Sequence, residues 1–374
     1  MIEIKDKKDC CGCHACASIC SKHCITMQAD EEGFLYPVVD KDACTDCGLC
    51  EKVCPVINQS EPRKPLKVYA AKNKNEEIRR QSSSGGIFTL LAEKIINEGG
   101  VVFGARFDEN WDVIHSWADT IEGIAAFRGS KYVQSTIGDT YREAKDFLKQ
   151  GRKVLFSGTP CQIAGLNYYL GKSYDQLLTV EVACHGVPSP MVWRNYLDIK
   201  AKGRSVQNVS FRDKSTGYYT YSTNYTINGR TYKQYYKYDD YMLGFIHNLY
   251  LRPSCFNCPS KGGRSGADLL IADNWAGQGI NDKKGSTLLL CYSEHTRLFF
   301  SSELFQIPVD YNIAILKNPS IVSCVNESVE AKEFWRKYIE TKDYRLCKYT
   351  KQYKENVIQR VIKKFYYVIK KIYS

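Results

Sequence analysis

Hydrophobic and polar residues in the middle of the chain follow two alternating patterns, one with the period of a helix and one with the period of a strand. The stretch SSSGGIFTLLAEKIINEGG starts with serines, repeats apolar residues at helical spacing and ends at Gly99, which predicts a helix. The segments VVFGARF and DVIHSWA flank the turn residues Asp108, Glu109 and Asn110, which predicts a β-hairpin. A second helix is predicted over TIGDTYREAKDFLKQG, ending at Gly151.

A strand, a helix and a second strand are predicted from Lys153 onward. KVLF is a short buried strand, Pro160 occupies a favourable first helical position, CQIAGLNYYL continues the helix, and LLTVEVA returns as a strand. Such a unit predicts two parallel strands joined by a right-handed crossover. Cys161 and Cys184 follow the carboxyl ends of these strands, so both thiols should open onto the edge where open α/β sheets bind ligands.

Length and composition limit the class of protein. The chain has 374 residues and 44% hydrophobic content, enough for two or three packed domains. No secretory signal follows Met1, and no apolar run approaches the roughly 18 to 20 residues that span a bilayer. A cytoplasmic location is therefore expected, where 17 cysteines favour metal or redox chemistry over disulfides.

The cysteines of the first 58 residues form two runs with the spacing C-x2-C-x2-C-x3-C. In two-cluster ferredoxins the fourth cysteine of each run serves the other 4Fe-4S cluster. We assign the cluster-one cysteines as Cys10, Cys13, Cys16 and Cys54, and the cluster-two cysteines as Cys44, Cys47, Cys50 and Cys20. Zinc is the alternative, although zinc sites usually separate two C-x2-C pairs. Cys11 and Cys24 fall outside both runs and are interpreted as passengers.

A further set of four cysteines is expected in the larger part of the chain. RPSCFNCPSKGG adds a C-x2-C pair in a loop, and with the two thiols at the sheet edge it completes a ligand set. This third cysteine set consists of Cys161, Cys184, Cys255 and Cys258. The alternative is four unrelated thiols, with Cys161 as a nucleophile favoured as a thiolate by its place in the first turn of a helix.

The domain organisation follows from these patterns. CITMQADEEGFLYPVVD predicts two short strands around an acidic turn, and NQSEPRKPL is a polar linker. The predicted fold class is α/β, or α+β overall, with a small two-cluster ferredoxin-like domain followed by a larger α/β domain with a mixed sheet. The expected boundaries are 1–58 for the ferredoxin domain, 59–66 for the linker, 67–150 and 151–345 for the two parts of the larger domain, and 346–374 for a basic tail.

Five ordered motifs resemble those of the family of coenzyme F420 hydrogenase/dehydrogenase beta subunits. They are SSSGGIFTLLAEKIINEGGVVFGARFD, FRGSKYVQS, FSGTPCQIAGL, CHGVPSP and LRPSCFNCPSKGG, and the resemblance covers roughly residues 1 to 300. It implies an FAD-containing oxidoreductase that moves electrons between clusters and an organic two-electron substrate, coenzyme F420-like or other. It also implies that the third cysteine set holds the cluster next to the flavin. Many bacterial members occur beside surface-polysaccharide genes, so a role in surface-polysaccharide biosynthesis is one expectation.

The same resemblance implies which residues line the flavin pocket. They are Ser83, Ser84, Gly85, Gly86, Arg128, Lys131, Gln134, Gly158, Thr159 and Gln162. Where the family usually shows Gly-Asp-Phe-Trp-Gly, this chain has ADNWAG, so Asp273 and Trp275 match while Asn274 replaces an aromatic residue.

Physical chemistry gives separate support for a dinucleotide cofactor other than NAD. Glycines near predicted helix starts permit close approach of a pyrophosphate, whereas no G-x-G-x-x-G follows a strand, which disfavours direct nicotinamide binding. Arg128 and Lys131 either hold an anionic ring or phosphate or are ordinary surface charges. His185 either relays a proton to the flavin as a catalytic residue or only hydrogen-bonds a sulfur or the backbone.

The basic character of the chain is concentrated in its last 29 residues. The formal net charge is +11, and residues 346–374 contribute eight Lys or Arg and one Glu. ENVIQRVIKKFYYVIKKIYS has an apolar stripe beside its basic residues, typical of a helix on an anionic membrane surface. Docking onto the protein's own body or onto an acidic redox partner is the alternative.

Three functions from different classes remain open at this point. The leading one is an enzyme that exchanges electrons with a redox partner protein, a ferredoxin or reductase, and with a small-molecule two-electron substrate. The second is a non-catalytic electron carrier that docks onto a partner reductase. A zinc protein that binds nucleic acid is the third, but no nucleic-acid partner is expected because no reading module is recognised.

Overall fold

The computed structural model describes residues 1–294, 296, 300–343 and 345. Its first part is a small unit built around the two cysteine runs. The unit contains α1 (Ala15–Ile19), β1 (Ile25–Ala29), β2 (Leu35–Val39) and α2 (Leu49–Lys52). Strands β1 and β2 pair antiparallel, as the acidic turn between them predicts.

The rest of the described chain alternates strands and helices. The strands are β3 (Lys67–Asn73), β4 (Val101–Phe107), β5 (Val113–Ala118), β6 (Val154–Gly158), β7 (Leu177–Val182), β8 (Val206–Asp213), β9 (Ser222–Ile227), β10 (Arg230–Tyr235), β11 (Leu269–Asp273), β12 (Thr287–Cys291) and β13 (Leu304–Pro308). The helices are α3 (Glu76–Gln81), α4 (Ile87–Asn97), α5 (Thr140–Lys149), α6 (Pro160–Leu170), α7 (Pro190–Ala201), α8 (Asp240–Ile246), α9 (Tyr311–Lys317) and α10 (Ala331–Thr341).

The larger part is organised by an eight-stranded mixed sheet in the order β13-β3-β12-β11-β7-β6-β4-β5. Strand β6 is parallel to β4 and β7, and β7 is parallel to β11. The outer strands β3, β5, β12 and β13 pair antiparallel with their neighbours. A second, three-stranded sheet has the order β10-β9-β8. The predicted fold class is therefore confirmed, with a mixed sheet in the larger domain.

Alternating side chains of the central strands bury both faces of the large sheet. On β6, Val154 and Phe156 pack with residues of α5 and α6, whereas Leu155 packs with residues of α4 on the opposite face. This period of two is what a strand covered on both faces requires. The predicted strand-helix-strand unit and the β4–β5 hairpin are both present.

One detail of the first predicted helix differs from the sequence interpretation. The helix begins at Ile87, and its N-cap is Gly86 rather than a serine. Gly86 has a φ of 82°, a left-handed backbone conformation that glycine adopts without strain. The serines instead form the turn before the helix, which brings them to the cavity described below.

The ferredoxin unit packs directly against the large sheet's helices. Cys11, Cys13 and Ala15 are buried in the same apolar cluster as residues of α5 and α6. A Cβ atom on Gly165 of α6 would lie 3.0 Å from Cys13 Sγ, so the helix backbone closely approaches this cysteine. Close packing of this kind holds the first cysteine run beside the sheet edge.

No helix within the described residues is long and apolar enough to cross a bilayer. The predicted basic tail, residues 346–374, lies outside the described residues.

Candidate functional site

The cluster-one cysteines come together in the small unit. Cys10 and Cys13 precede α1, Cys16 lies within it, and Cys54 follows α2. Burial, followed by the charges of Cys10 and Cys54, raises the pKa of Cys16 to about 12. Burial first, and also the charges of Cys10 and Cys50, raise the pKa of Cys54. These thiols therefore lie close enough to influence one another's ionisation, and Cys50 of the cluster-two cysteines acts on Cys16 and Cys54 as well, so the division of ligands between the two clusters stays a prediction.

The cluster-two cysteines line a small pocket of the same unit. Its wall contains Cys20, Cys44, Cys47 and Cys50, together with Cys24. The sulfur of Cys24 lies 3.3 Å from that of Cys20. The interpretation of Cys24 as a passenger therefore stays a prediction, but its thiol belongs to this pocket.

The donor chemistry of both runs fits 4Fe-4S clusters. Each run supplies only cysteine thiols, at the C-x2-C-x2-C-x3-C spacing of 4Fe-4S ligands, whereas zinc sites usually separate two C-x2-C pairs. Such clusters would supply one-electron transfer when bound.

The third cysteine set meets at the carboxyl edge of the parallel strands. Cys161 lies in the first turn of α6, Cys184 follows β7, and the remaining pair lies in the turn around residues 253–258. Burial first, and then the charges of Cys255, Cys161 and Cys258, raise the pKa of Cys184. The parallel arrangement of β6 and β7 brings the first two thiols to one edge, as predicted.

Another cysteine, Cys324, lies beside this third set. The backbone N–H of Cys258 donates a hydrogen bond to Cys324 Sγ at 3.1 Å, and Cys324 Sγ lies 3.6 Å from Cys258 O. Sequence reasoning did not select Cys324, because SIVSCVN contains no ligand spacing.

Cys11 lies between the first and third cysteine groups. Its thiol lies near those of both Cys13 and Cys161, and the interaction with Cys13 is the main cause that raises the pKa of Cys11. The residue is buried. It is thus placed at the junction of two cysteine groups, a position that its sequence doublet with Cys10 does not reveal.

A cavity of about 430 Å³ opens next to the third cysteine set. Its wall is formed by residues 82–84, 86–89, 127–133, 157–159 and 182–188 together with single residues from other segments. The flavin candidates in this wall are Ser83, Ser84, Gly86, Arg128, Lys131, Gly158, Thr159 and Gln162, and His185 joins them. Segments that are distant in sequence therefore meet in one cavity within the range of about 300 to 1,000 Å³ that is usual for ligand pockets.

Two of the flavin candidates lie elsewhere. Gly85 donates its N–H to Thr287 Oγ1 at 2.9 Å, and a Cβ atom here would lie 2.5 Å from Ala71 O, so this glycine serves strand packing. The Gln134 side chain donates to Cys11 O at 3.1 Å and accepts from Arg252 Nη1 at 3.0 Å. Gln134 thus joins the small unit to the larger one instead of lining the cavity.

Three buried polar atoms in the cavity wall need a partner that the described residues do not provide. They are Thr89 Oγ1, Arg128 Nε and Arg212 Nε. Thr89 and Arg212 are 1% and 5% exposed. Buried donors without an acceptor are costly, so the wall fits a ligand rich in acceptor oxygens and nitrogens, such as a dinucleotide with its phosphates and flavin ring.

Two polar side chains of the wall have hydrogen-bond partners and a pKa that burial lowers. His185 Nε2 lies 2.6 Å from Asn248 Oδ1, and burial is the main cause that lowers the pKa of this histidine. Lys131 Nζ donates to Ala126 O and Arg128 O at 2.8 Å, and burial lowers the pKa of Lys131 to about 7. This lysine therefore shapes the 126–131 loop with its hydrogen bonds.

Arg212 is a part of the wall that sequence reasoning missed. Its Nη1 lies 2.9 Å from Asp273 Oδ2, and its guanidinium stacks over Tyr221 at 4.2 Å and Trp275 at 5.1 Å from the ring centres. Asp273 and Trp275 are the matching residues of ADNWAG. Asn274 is fully buried and donates to Gln278 O and Ser286 Oγ, so the departure from the usual motif lies behind the wall.

Three family models match successive parts of the chain. Residues 9–58 match the 4Fe-4S dicluster domain. Residues 68–140 match the N-terminal model, and residues 151–304 the C-terminal model, of the coenzyme F420 hydrogenase/dehydrogenase beta subunit.

Individual relatives are more distant. The chain is 26% identical over 170 residues to a subunit of the F(420)H(2) dehydrogenase of Methanosarcina mazei, covering 41% of this chain and 46% of that protein. It is 26% identical over 211 residues to an uncharacterized protein of Methanocaldococcus jannaschii, covering 47% of this chain and 56% of that protein. The chain thus matches about half the length of these curated relatives.

A solved structure of the F420-reducing NiFe hydrogenase complex from Methanosarcina barkeri, from a xenon derivatization study, contains a similar chain. The likeness has a TM-score of 0.47 at 18% sequence identity and covers 69% of this chain and 89% of that chain.

Proposed function

Because this chain belongs to the family of coenzyme F420 hydrogenase/dehydrogenase beta subunits, we propose that it is an FAD-dependent iron-sulfur oxidoreductase. FAD would exchange two electrons with an organic substrate and single electrons with the clusters. The observation that carries the proposal is the cavity itself, which joins eight of the ten predicted flavin residues to an edge with four neighbouring thiols.

The cavity residues have separate parts in holding the cofactor. Thr89 and Arg128 offer the unpartnered polar atoms, and Arg128 Nη1 is steadied by a hydrogen bond to Gln81 Oε1. At the start of α6, Thr159 and Gln162 form a capping box that fixes the turn. Gly86 holds the left-handed N-cap of α4, and Gly158 packs closely against Gln162, so both glycines hold turns of the wall. These residues would bind and orient the dinucleotide beside Cys184.

The order of the cysteine groups indicates a route for electrons. Cys47 of the cluster-two cysteines is exposed, whereas Cys13 and Cys16 of the cluster-one cysteines are buried. Cys11 then joins Cys13 to Cys161 of the third set. A redox partner protein would therefore exchange electrons at cluster two, and the path continues through cluster one and a third 4Fe-4S cluster to the cavity.

The organic substrate would be recognised at the cavity, where Arg212 and the aromatic rings around it form one wall. His185 is a candidate to move a proton there, because its imidazole lies in the wall and its lowered pKa keeps it neutral. The substrate class is a two-electron hydride carrier, coenzyme F420-like or another organic molecule. A role in surface-polysaccharide biosynthesis remains part of the proposal.

The third cysteine set provides the test. In the Cys255→Ser/Cys258→Ser variant we expect a loss of about four irons, retained flavin, and no reduction of the flavin by a reduced ferredoxin. Dithionite should still reduce the flavin directly. The matched control is Cys291→Ser, a buried cysteine on β12 outside the three groups, which should keep iron and electron transfer.

Two outcomes would contradict the proposal. Full iron content in the double variant would show that these thiols are not ligands and would favour a nucleophilic Cys161. A wild type that holds iron but no flavin would favour the second function, a non-catalytic electron carrier that docks onto a partner reductase.

A further inference from the structure

Arg252 is a buried arginine that touches a cluster-one cysteine. Its side chain is 0% exposed. Nε donates to Cys10 O at 2.7 Å, and Nη2 donates to Leu35 O at 2.9 Å and to Cys10 Sγ at 3.5 Å. Nη1 donates to Gln134 Oε1 at 3.0 Å. Four of the five N–H groups of the guanidinium are thus engaged between the two units of the protein.

The described residues give this cation no carboxylate partner within ion-pair distance. Its oxygen acceptors are neutral, and its remaining contacts are the faces of Tyr36 and Phe34, at 4.3 Å and 5.4 Å from the guanidinium carbon. The charge of Arg252 also acts on Glu32, but burial raises the pKa of that carboxyl to about 7, so it is a weak counter-ion. A buried cation without a counter-charge is costly, and the negative charge available beside it is that of Cys10 and the cluster it would bind.

The local chain is shaped to admit the guanidinium. Gly12 follows the first cysteine pair with a φ of 68°, and a Cβ atom at this position would lie 2.8 Å from Arg252 Nη1. The Arg252 backbone N–H is fixed by a hydrogen bond to Val187 O at 3.0 Å. Cys255 of the third set follows three residues later, and its N–H donates to Arg252 O at 2.9 Å. One residue therefore links the cluster-one loop to the turn that carries the third set.

We propose that Arg252 raises the reduction potential of cluster one above that of cluster two, so that electrons collect beside the third cysteine set. The inference rests on the proposed function. A cluster gains negative charge when it takes up an electron, and a hydrogen bond from a cation to its sulfur stabilises that reduced state. The step is the transfer of one electron from reduced cluster two, which becomes oxidised, to cluster one, with no proton moved.

The same contacts explain why Arg252 would raise the reduction potential of cluster one and not that of cluster two. Burial lowers the pKa of Arg252, and among the neighbouring groups that raise it Cys10 acts most strongly, ahead of Tyr36, Cys11 and Cys255. Within the described part of the chain, its side-chain hydrogen bonds go to Cys10, Leu35 and Gln134 and to none of the cluster-two cysteines. Arg252 is thus a positioning residue that favours one of two similar clusters.

The test is a redox titration of the anaerobic full-length protein, followed by electron paramagnetic resonance. The Cys47→Ser variant identifies which couple belongs to cluster two. In Arg252→Gln we expect the cluster-one couple to move to lower potential, by at least a tenfold change in its equilibrium constant, or about 59 mV. Arg252→Lys keeps the positive charge but loses the planar guanidinium with its several N–H donors, so it should lower the same reduction potential by less.

The matched control is Arg142→Gln. Arg142 also joins the two units, but its hydrogen bonds go to oxygens: Nε donates to Ser18 O at 2.9 Å, Nη2 to Ala17 O at 2.8 Å and Nη1 to Asp139 Oδ1 at 2.6 Å. The Arg142→Gln variant should leave the reduction potentials of both clusters unchanged. A general weakening of the contact between the units would move the couples in both variants alike.

Each outcome decides the inference. Arg252→Gln protein with full iron content and an unchanged cluster-one couple would overturn it, as would an equal shift in Arg142→Gln. If Arg252→Gln loses iron, the reduction potential of cluster one is measured in Arg252→Lys instead. A shift of that potential to a lower value supports the inference, and an unchanged value overturns it. A wild type without ferredoxin-type couples would instead contradict the proposed function.

Discussion

Replacing Glu181 with glutamine should make the protein more stable at alkaline pH. Glu181 lies on β7, three residues before Cys184, and is 1% exposed. Ser265 Oγ donates to Glu181 Oε2, whereas Oε1 has no hydrogen-bond partner within the described part of the chain. Burial, the main cause, raises the pKa of this carboxyl from 4.5 to about 7. The folded protein therefore holds a carboxyl that is costly to ionise.

The size of the effect follows from that pKa difference. Between pH 4.5 and about 7 the folded state keeps a proton that the unfolded state has lost, so the free energy of unfolding decreases as the pH rises. At about 1.4 kcal/mol per pH unit, the full loss is about 3 kcal/mol, of which about 2 kcal/mol develops between roughly pH 5.5 and 8. Glutamine carries no charge at any of these pH values and escapes this loss.

Anaerobic urea unfolding at about pH 5.5 and about pH 8 measures the effect. We expect the advantage of Glu181→Gln over the wild type to grow by about 2 kcal/mol across this range. The control is Glu333→Gln, because the hydrogen bonds of Arg336 and Lys337 to the exposed Glu333 lower its pKa to about 2, well below the range. If the advantage of Glu181→Gln is the same at both pH values, Glu181 is ionised in the folded protein and the reasoning is wrong.

Three further predictions concern the cofactors and the tail. Cys13→Ser should unfold the ferredoxin unit, because a domain of about 58 residues has too small a core to fold securely without its metal; unchanged protease resistance would contradict this. Arg128→Gln should raise the dissociation constant for FAD about tenfold or more by removing a charged donor, as measured by fluorescence titration of the flavin-stripped protein, and unchanged affinity would place the flavin elsewhere. Deleting residues 352–374 should abolish salt-sensitive binding to anionic vesicles while leaving iron and flavin in place; full-length protein that ignores such vesicles at low salt would refute the membrane interpretation.

Local patterns were sufficient to predict the central elements of the fold. The β4–β5 hairpin and the β6–α6–β7 unit follow from turn residues and from the switch between strand and helix periods, which are properties of neighbouring residues. The outer strands are different, because β3 pairs with β12 and β13 from the far end of the described chain, and nothing in their own sequences specifies the partner.

The contrast between local patterns and distant partners also separates the predicted site residues from those that were missed. The two cysteine runs were found by their spacing. In the third set, the rule for parallel strands selected Cys161 and Cys184, and a C-x2-C pair added Cys255 and Cys258. Arg212 and Arg252 act through partners far away in sequence, Asp273 and Cys10, so no local spacing marks them. Gln134 was assigned to the flavin because it belongs to FRGSKYVQS, a segment that resembles the family motif, whereas its side chain points to the ferredoxin unit.

Iron and flavin content of the anaerobically purified full-length protein tests most directly whether this chain joins ferredoxin-type clusters to a flavin. We expect on the order of twelve irons, from three 4Fe-4S clusters, and about one FAD per chain, with the visible absorption of both. A colourless protein that contains zinc, or an iron-loaded protein that binds no flavin even when FAD is supplied, would contradict the proposed oxidoreductase.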